Sequence, residues 1–538
     1  MALSPVPEKQ RGKIPQVLLD FMRAPGGHSL MLKGDAGTGK TTLALQTIEE
    51  LAEEQPEYYL STRVSDEALF RQFPWARERA KRDNILKAGK TFLKRAKEAP
   101  AVESPAMQQV TLAAARDLLR ALNQSENSLM VVRSELQKLE GQIEAGEIGA
   151  EAEGGFHGEI TEEEITLDLG VMLPELEVAY DLAESNLPKK TLMVVDSIDA
   201  LSERYGIPSS RIINTLQKDL VENSGTNIMY TLEKSGKTEL DYLGDGVIQM
   251  LSEDRGGRRV RQMVIEKLRG QPVEQWKYYF TLEGGRMSVF EPTWVRIPER
   301  MQRHHAVMDP NNRTVSSGNA YIDQFFGGFP KGSLVLWEFD LDVHQDVVRC
   351  LELAVMSDFL DKGRGVVWLP MYATDYTLVD EQMRMLVGKE HIDRSFHILD
   401  TQGEQDVVLP FVTAVEGSDA SQDLRWSQVK YMLGDSSSPY LSILGYDTME
   451  SIYGQAVFKD SLSHIDAMRR GGHVVIAIAS SRSSSLPALR EQAKMHIKFE
   501  NMAGCVMAAG MKPHSPYYYL DFAGAEDRLP TPRLVPMI

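Results

Sequence analysis

The 538-residue chain predicts an α/β fold built from two successive domains, each with a parallel sheet. Three observations lead there. An apolar strand, a glycine-rich turn and an amphipathic helix follow one another between residues 28 and 52, the order of the first half of a βαβ unit. Short apolar runs of the buried-strand type recur at Tyr58–Thr62, Thr191–Val195 and Thr226–Thr231. After a stretch of prolines and charges at Glu291–Arg313, the alternation restarts with Leu334–Trp337, Val366–Leu369, Leu441–Leu444 and Val474–Ala479. Composition agrees, since 42% apolar and 25% charged residues are ordinary for a folded protein and the length exceeds what one core supports.

The opening residues, MALSPVPEKQRGK, place no apolar run behind their charges, and no later run approaches the roughly 18 to 20 apolar residues that span a bilayer. A cytoplasmic protein with no membrane segment is expected. The first strand is His28–Lys33, and the helix after it begins near Thr41. Ala44, Ile48, Leu51 and Ala52 give that helix one apolar face to lay on a sheet. The first domain is expected over 1–290, with a helical insertion at about 77–188, a linker at 291–313 and the second domain over 314–538.

Within the insertion, Leu112, Ala115, Leu119 and Leu122, then Leu129, Val132, Leu136, Leu139 and Ile143, follow the 3,4 spacing of a coiled coil or helical hairpin. Either a structural insertion or a partner-binding arm accounts for it. From Leu139 to Pro188 there is no Lys or Arg, and carboxylates such as Glu162, Glu163 and Glu164 make a block expected to stay solvated.

Cys350 and Cys505 stand far apart and outside any metal-ligand spacing, so two buried, inert thiols are expected. A net charge of −18 repels a phosphate backbone and argues against DNA as the main partner. The exception is local. Arg255, Arg258, Arg259 and Arg261 cluster around Gly256 and Gly257, which mark a turn between two strands. That cluster is either a solvated hairpin tip or a contact for nucleotide, nucleic acid or an acidic partner.

The chemistry concentrates in residues 34–42, GDAGTGKTT, which fit G-x-x-x-x-G-K-[ST] between a strand and a helix. Gly34, Gly37 and Gly39 let the backbone curl so that amides from Asp35, Ala36, Thr38 and their neighbours point at one anion, with the helix N-terminus behind them. Lys40 would neutralise the β and γ phosphates of ATP, the Thr41 hydroxyl would hold Mg2+, and Thr42 continues into the helix. An Asp closing a buried strand supplies the carboxylate such a metal needs, and Thr191-Leu-Met-Val-Val-Asp196 has that form.

GDAGTGKTT together with TLMVVDSIDAL (191–201), YLGDGVIQM (242–250) and IEKLRGQP (265–272) resembles the RecA superfamily, and within it the KaiC-like ATPases. SSGNAYIDQFFGGFPKGSLVLWEF (316–339) is similar to the lead-in before a second KaiC-type loop, so the resemblance covers both halves and implies two tandem RecA-like domains. With YLSTRVSDEALFRQFPW (59–75), the chain most resembles the archaeal gas vesicle GvpD family, described as P-loop proteins that restrain gas vesicle gene expression through a transcriptional activator. The resemblance further implies a homo-oligomer in which Lys267 and Arg269 reach the γ phosphate of a neighbouring subunit.

Two departures qualify it. The glutamate pair that KaiC-like proteins place after the second strand is replaced by Ser61-Thr-Arg-Val-Ser65, so slow hydrolysis is expected unless Asp66 or Glu67 substitutes. Counted from the lead-in, the second loop is Glu338 to Gln345, with Glu338 for the first glycine, Val343 for the later one, His344 for the lysine and Gln345 for the threonine. Its carboxylates at 338, 340 and 342 would repel a triphosphate, and Asp447 remains as a relic of the second metal-binding strand. The sequence therefore predicts a nucleotide switch acting on a protein partner. A DNA-dependent recombinase-type ATPase, a phosphotransferase and a structural nucleotide-binding protein are the rivals.

Overall fold

The computed structural model describes residues 13–62, 66–76, 182–372, 374–400, 410–434, 436–522 and 527–538. Nearly all of the insertion expected at about 77–188, including both leucine rows and the acidic block up to residue 181, lies outside these residues. The chain divides into two compact units. The first comprises Met1–Ser252, Arg261–Tyr278 and Gly284–Val289; the second comprises Glu253–Val260, Tyr279–Glu283 and Phe290–Ile538.

The first sheet has eight strands: β1 (Ser29–Lys33), β2 (Glu57–Ser61), β3 (Leu192–Asp196), β4 (Asn227–Leu232), β5 (Gly246–Asp254), β6 (Arg259–Leu268), β7 (Lys277–Thr281) and β8 (Ser288–Val289). Their order is β2-β3-β4-β1-β5-β6-β7-β8, and the run from β2 to β5 is parallel. All five residues of β1 are buried, as expected of a strand covered on both faces. Met31 on one face packs with Met193, Ile198, Ile213, Ile228 and Tyr230, so the helices Ile198–Tyr205 and Ser209–Leu216 cover that side. Ile228 has no exposed surface, and truncating such a residue to Ala costs about 2 to 5 kcal/mol. β1 lies between β4 and β5 in the parallel run, and the loop that leaves it opens at the carboxyl edge, where ligands bind in sheets of this kind.

The second unit carries a short antiparallel pair, β9 (Thr314–Val315) and β10 (Phe329–Pro330), and a ten-stranded sheet. The sheet contains β11 (Ser333–Phe339), β12 (Arg364–Leu369), β13 (Phe396–Asp400), β14 (Val412–Ala414), β15 (Ser437–Gly445), β16 (Val474–Ser480), β17 (Met495–Met502), β18 (Cys505–Lys512), β19 (Tyr517–Asp521) and β20 (Arg533–Pro536). The order is β14-β13-β12-β15-β16-β11-β17-β18-β19-β20, parallel up to β17 and antiparallel beyond it. The parallel run β12-β15-β16-β11-β17 repeats β2-β3-β4-β1-β5 strand for strand, so the architecture is two tandem α/β domains, as the sequence implied.

Every strand expected from the apolar runs is present, and Gly256 and Gly257 do turn the chain between β5 and β6. Residues 291–313, read from the sequence as a linker, pack onto the second unit: Val295 and Met301 join its core, Thr293 N donates to Gly504 O and His304 N to Leu386 O. Both cysteines are buried free thiols, and burial pushes the Cys505 thiol up to about 12. Among the described residues, no helix is long and apolar enough to cross a membrane.

Candidate functional site

The loop between β1 and the helix Lys40–Leu51 has the form its glycines demand. Gly34, Gly37 and Gly39 all adopt positive φ (150°, 77° and 107°), a region that residues with a Cβ rarely enter. At Gly34 a Cβ would also lie 2.3 Å from Met250 O, so the backbone passes β5 too closely for any side chain. The Thr38 hydroxyl donates to Asp35 O at 2.9 Å, and the Arg261 guanidinium donates to Gly37 O at 2.9 Å, so the loop tip is held from within and from β6.

Lys40 is 5% exposed, and its Nζ donates to Gly34 O (2.6 Å) and Asp35 O (2.9 Å) and lies 3.3 Å from Glu233 Oε2. The ammonium is thus folded back on its own loop, at the place where a phosphate would compete for it. Beside it, the Thr41 hydroxyl donates to Asp196 Oδ2 at 2.7 Å. Asp196 closes β3 and accepts two further hydroxyls, Tyr59 on Oδ2 at 2.7 Å and Thr231 on Oδ1 at 2.6 Å. Burial and the neighbouring Asp196 carboxylate hold the Tyr59 hydroxyl well above its ordinary value, so it stays a donor. A threonine hydroxyl beside an aspartate, oxygen donors only, is the set that suits Mg2+ rather than a softer metal.

The structure places Asp196 beside the loop Gly34–Thr42, through its contact with Thr41. Lys267 and Arg269 stand at the end of β6, where Lys267 Nζ donates to Asp241 O at 2.9 Å and Arg269 pairs with Asp245 at 3.2 Å. Three residues at the loop escaped sequence reading. Lys33, fully buried, pairs with Asp241 at 2.8 Å and Glu266 at 3.0 Å directly before the loop; Arg261 holds Gly37; Glu233 faces Lys40. Only Arg261 had a signal, as part of the arginine cluster. That cluster is not a uniform solvated tip: Arg258 is buried and donates to Ser515 O and Gly510 O at 2.7 Å, Arg255 lies 3.4 Å from Glu500, and Arg259 is exposed.

In the second domain the register of the degenerate loop differs by one from the sequence reading. Glu338 lies inside β11, 1% exposed, with Arg490 at 2.6 Å and His496 at 2.8 Å, which hold its carboxyl down to about 2. Both helices begin six residues past the first loop position when Gly34 is matched to Phe339, so His344 replaces Gly39, Gln345 replaces Lys40 and Asp346 replaces Thr41. The His344 φ of −62° also lacks the left-handed turn of Gly39. Asp447 corrects in the same way. It sits second in the helix Tyr446–Tyr453 and accepts from Ser480 N at 2.8 Å, as Asp199, second in the helix Ile198–Tyr205, accepts from Glu233 N at 2.6 Å. The strand-end position of Asp196 is occupied by Gly445. The second loop thus has neither the lysine nor the strand-end carboxylate.

Residues 18–266 match the family described as GvpD gas vesicle protein, P-loop domain. The protein GvpD2 of Halobacterium salinarum is 22% identical over 530 residues, 93% of this chain and 92% of its own length. GvpD1 of the same organism is 23% identical over 252 residues, 44% of this chain and 47% of the relative. The circadian clock oscillator protein KaiC 1 of Synechocystis is 27% identical over 180 residues, 32% of each chain.

Proposed function

Because this chain is a GvpD-like P-loop protein of the KaiC and RecA type, we propose that it is a cytoplasmic, ATP-binding regulator: a slow Mg2+-dependent ATPase whose first domain switches a protein partner. One observation carries the reading. The loop Gly34–Thr42 is formed, its lysine is within reach of a phosphate, and Thr41 is already joined to Asp196. A triphosphate in this cradle would accept hydrogen bonds from the loop amides and draw the Lys40 ammonium off the Gly34 and Asp35 carbonyls. Mg2+, when bound through Thr41 and Asp196, would neutralise charge on the phosphates. Releasing Gly34 and Asp35, and loading the Arg261 contact at Gly37, changes the backbone next to β5 and β6; such a two-state loop is a means of signalling to a partner.

The second domain is read as a scaffold that holds no nucleotide in this manner, since Phe339, His344 and Gln345 leave no phosphate cradle. Lys267 and Arg269 are proposed to act on the γ phosphate of a neighbouring protomer in a homo-oligomer. The partner is proposed to be a transcriptional regulator, by analogy with the GvpD family.

The experiment compares nucleotide binding, hydrolysis and molecular size for the wild type and Lys40→Ala, with and without DNA. ATP affinity that depends on Lys40, with size responsive to nucleotide and indifferent to DNA, is expected. Hydrolysis stimulated by DNA would favour the recombinase-type reading instead.

A further inference from the structure

The loop faces a carboxylate that no motif announces. Glu233 directly follows β4, and β4 lies between β3 and β1, so its carboxyl end opens between Asp196 and the phosphate loop. The Glu233 backbone amide is fixed by Asp199 Oδ2 at 2.6 Å, and its Oε2 lies 3.3 Å from Lys40 Nζ with the side chain 25% exposed. Water can therefore reach it.

Resting on the ATP-binding reading, we propose that Glu233 is the general base of this site, standing in for the glutamate pair absent from Ser61–Ser65. A phosphoryl oxygen accepting from Lys40 Nζ at about 2.8 Å would lie within roughly 6 Å of Glu233 Oε2, the span bridged by one water. The rival carboxylates are less suited. Asp196 already accepts from Thr41, Tyr59 and Thr231, and Glu67 is exposed on the helix Asp66–Gln72. In the step, the water oxygen bonds to the γ phosphorus as its proton passes to Glu233. The bond from that phosphorus to the β–γ bridging oxygen breaks, its electron pair staying on ADP. Inorganic phosphate forms, and Glu233 then loses the proton to solvent. Asp199 acts through Glu233 as a positioning residue.

The test uses the full chain and Glu233→Gln, which keeps the side-chain size and removes the base. Three quantities are read: ATP-analogue affinity, single-turnover hydrolysis and its pH profile. The expected result is affinity within about threefold of the wild type, turnover lowered by about 100-fold or more, and loss of the acid limb of the profile, with Glu233→Asp in between. Wild-type turnover in Glu233→Gln overturns the assignment, as does a gain in affinity with turnover unchanged, which would make Glu233 only a latch on Lys40. A wild-type chain that binds ATP through Lys40 yet never hydrolyses it also overturns the base and leaves the binding reading intact. Binding that ignores Lys40 defeats the binding reading itself, so the two failures are distinguishable.

Discussion

The Thr41 hydroxyl donates to Asp196 Oδ2 at 2.7 Å, joining two residues 155 positions apart into one pair of oxygen donors beside the phosphate loop. In Asp196→Asn the pair loses its charge and keeps one acceptor oxygen, which can serve the Oδ2 side, with Thr41 and Tyr59, or the Oδ1 side, with Thr231, but not both. ATP affinity of the wild type should rise about tenfold or more when Mg2+ replaces EDTA, and that of Asp196→Asn by no more than about twofold. Titration with a fluorescent analogue in both media checks this; equal Mg2+ dependence would remove Asp196 from the metal site.

Arg261 reaches Gly37 O from β6, 224 residues away in sequence. A hydrogen bond from a charged donor is worth about 1.5 to 3 kcal/mol, and part of that preorganises the loop tip. Arg261→Ala should therefore weaken ATP binding by about tenfold, with Arg261→Lys recovering part of it, as read by calorimetry alongside a melt to confirm folding. Unchanged affinity would show that Gly37 needs no outside support.

Replacing Lys267, placed on β6 with its Nζ on Asp241 O, should lower turnover in mixed assemblies even when the protomer that binds ATP is wild type. Titrating Lys267→Ala chains into wild type and measuring phosphate release checks the effect. A strictly monomeric active species contradicts it.

Glu352 is 2% exposed inside the helix Gln345–Asp361, accepts from Trp368 Nε1 at 3.0 Å, and burial raises its carboxyl from 4.5 to about 6. The folded chain thus holds this proton more tightly than the unfolded one. Its stabilising effect is complete below about pH 4.5 and is lost as pH rises through about 6, a difference of about 2 kcal/mol. Glu352→Gln, which can still accept from Trp368, should be more stable than wild type at pH 8 by up to about that amount and nearly equal at pH 4.5. Denaturant melts at both pH values measure it; an equal gap at both would mean the carboxyl does not titrate in this window.

What the sequence showed follows from how local each feature is. GDAGTGKTT and the strand ending at Asp196 are each contiguous in the chain, so the loop and the carboxylate that stands beside it could be read directly. Glu233 and Arg261 meet the loop across 193 and 224 positions, and their register is set by strand order, which no spacing encodes. Counting from the lead-in puts Glu338 in the second loop, one place off; Arg490 and His496, 152 and 158 positions on, are what make a carboxylate tolerable inside β11. The antiparallel strands after β17 turn at Ala503 and Gly504, both at positive φ, a place where alanine gives no turn signal.

The central claim is that one phosphate cradle, in the first domain, holds ATP. Equilibrium titration of the full chain with ATP analogue and Mg2+, compared with Lys40→Ala, tests it most directly. The account predicts one nucleotide per wild-type chain and an affinity loss of about 100-fold or more in the variant. Two nucleotides per chain, or binding that survives Lys40→Ala, would contradict it.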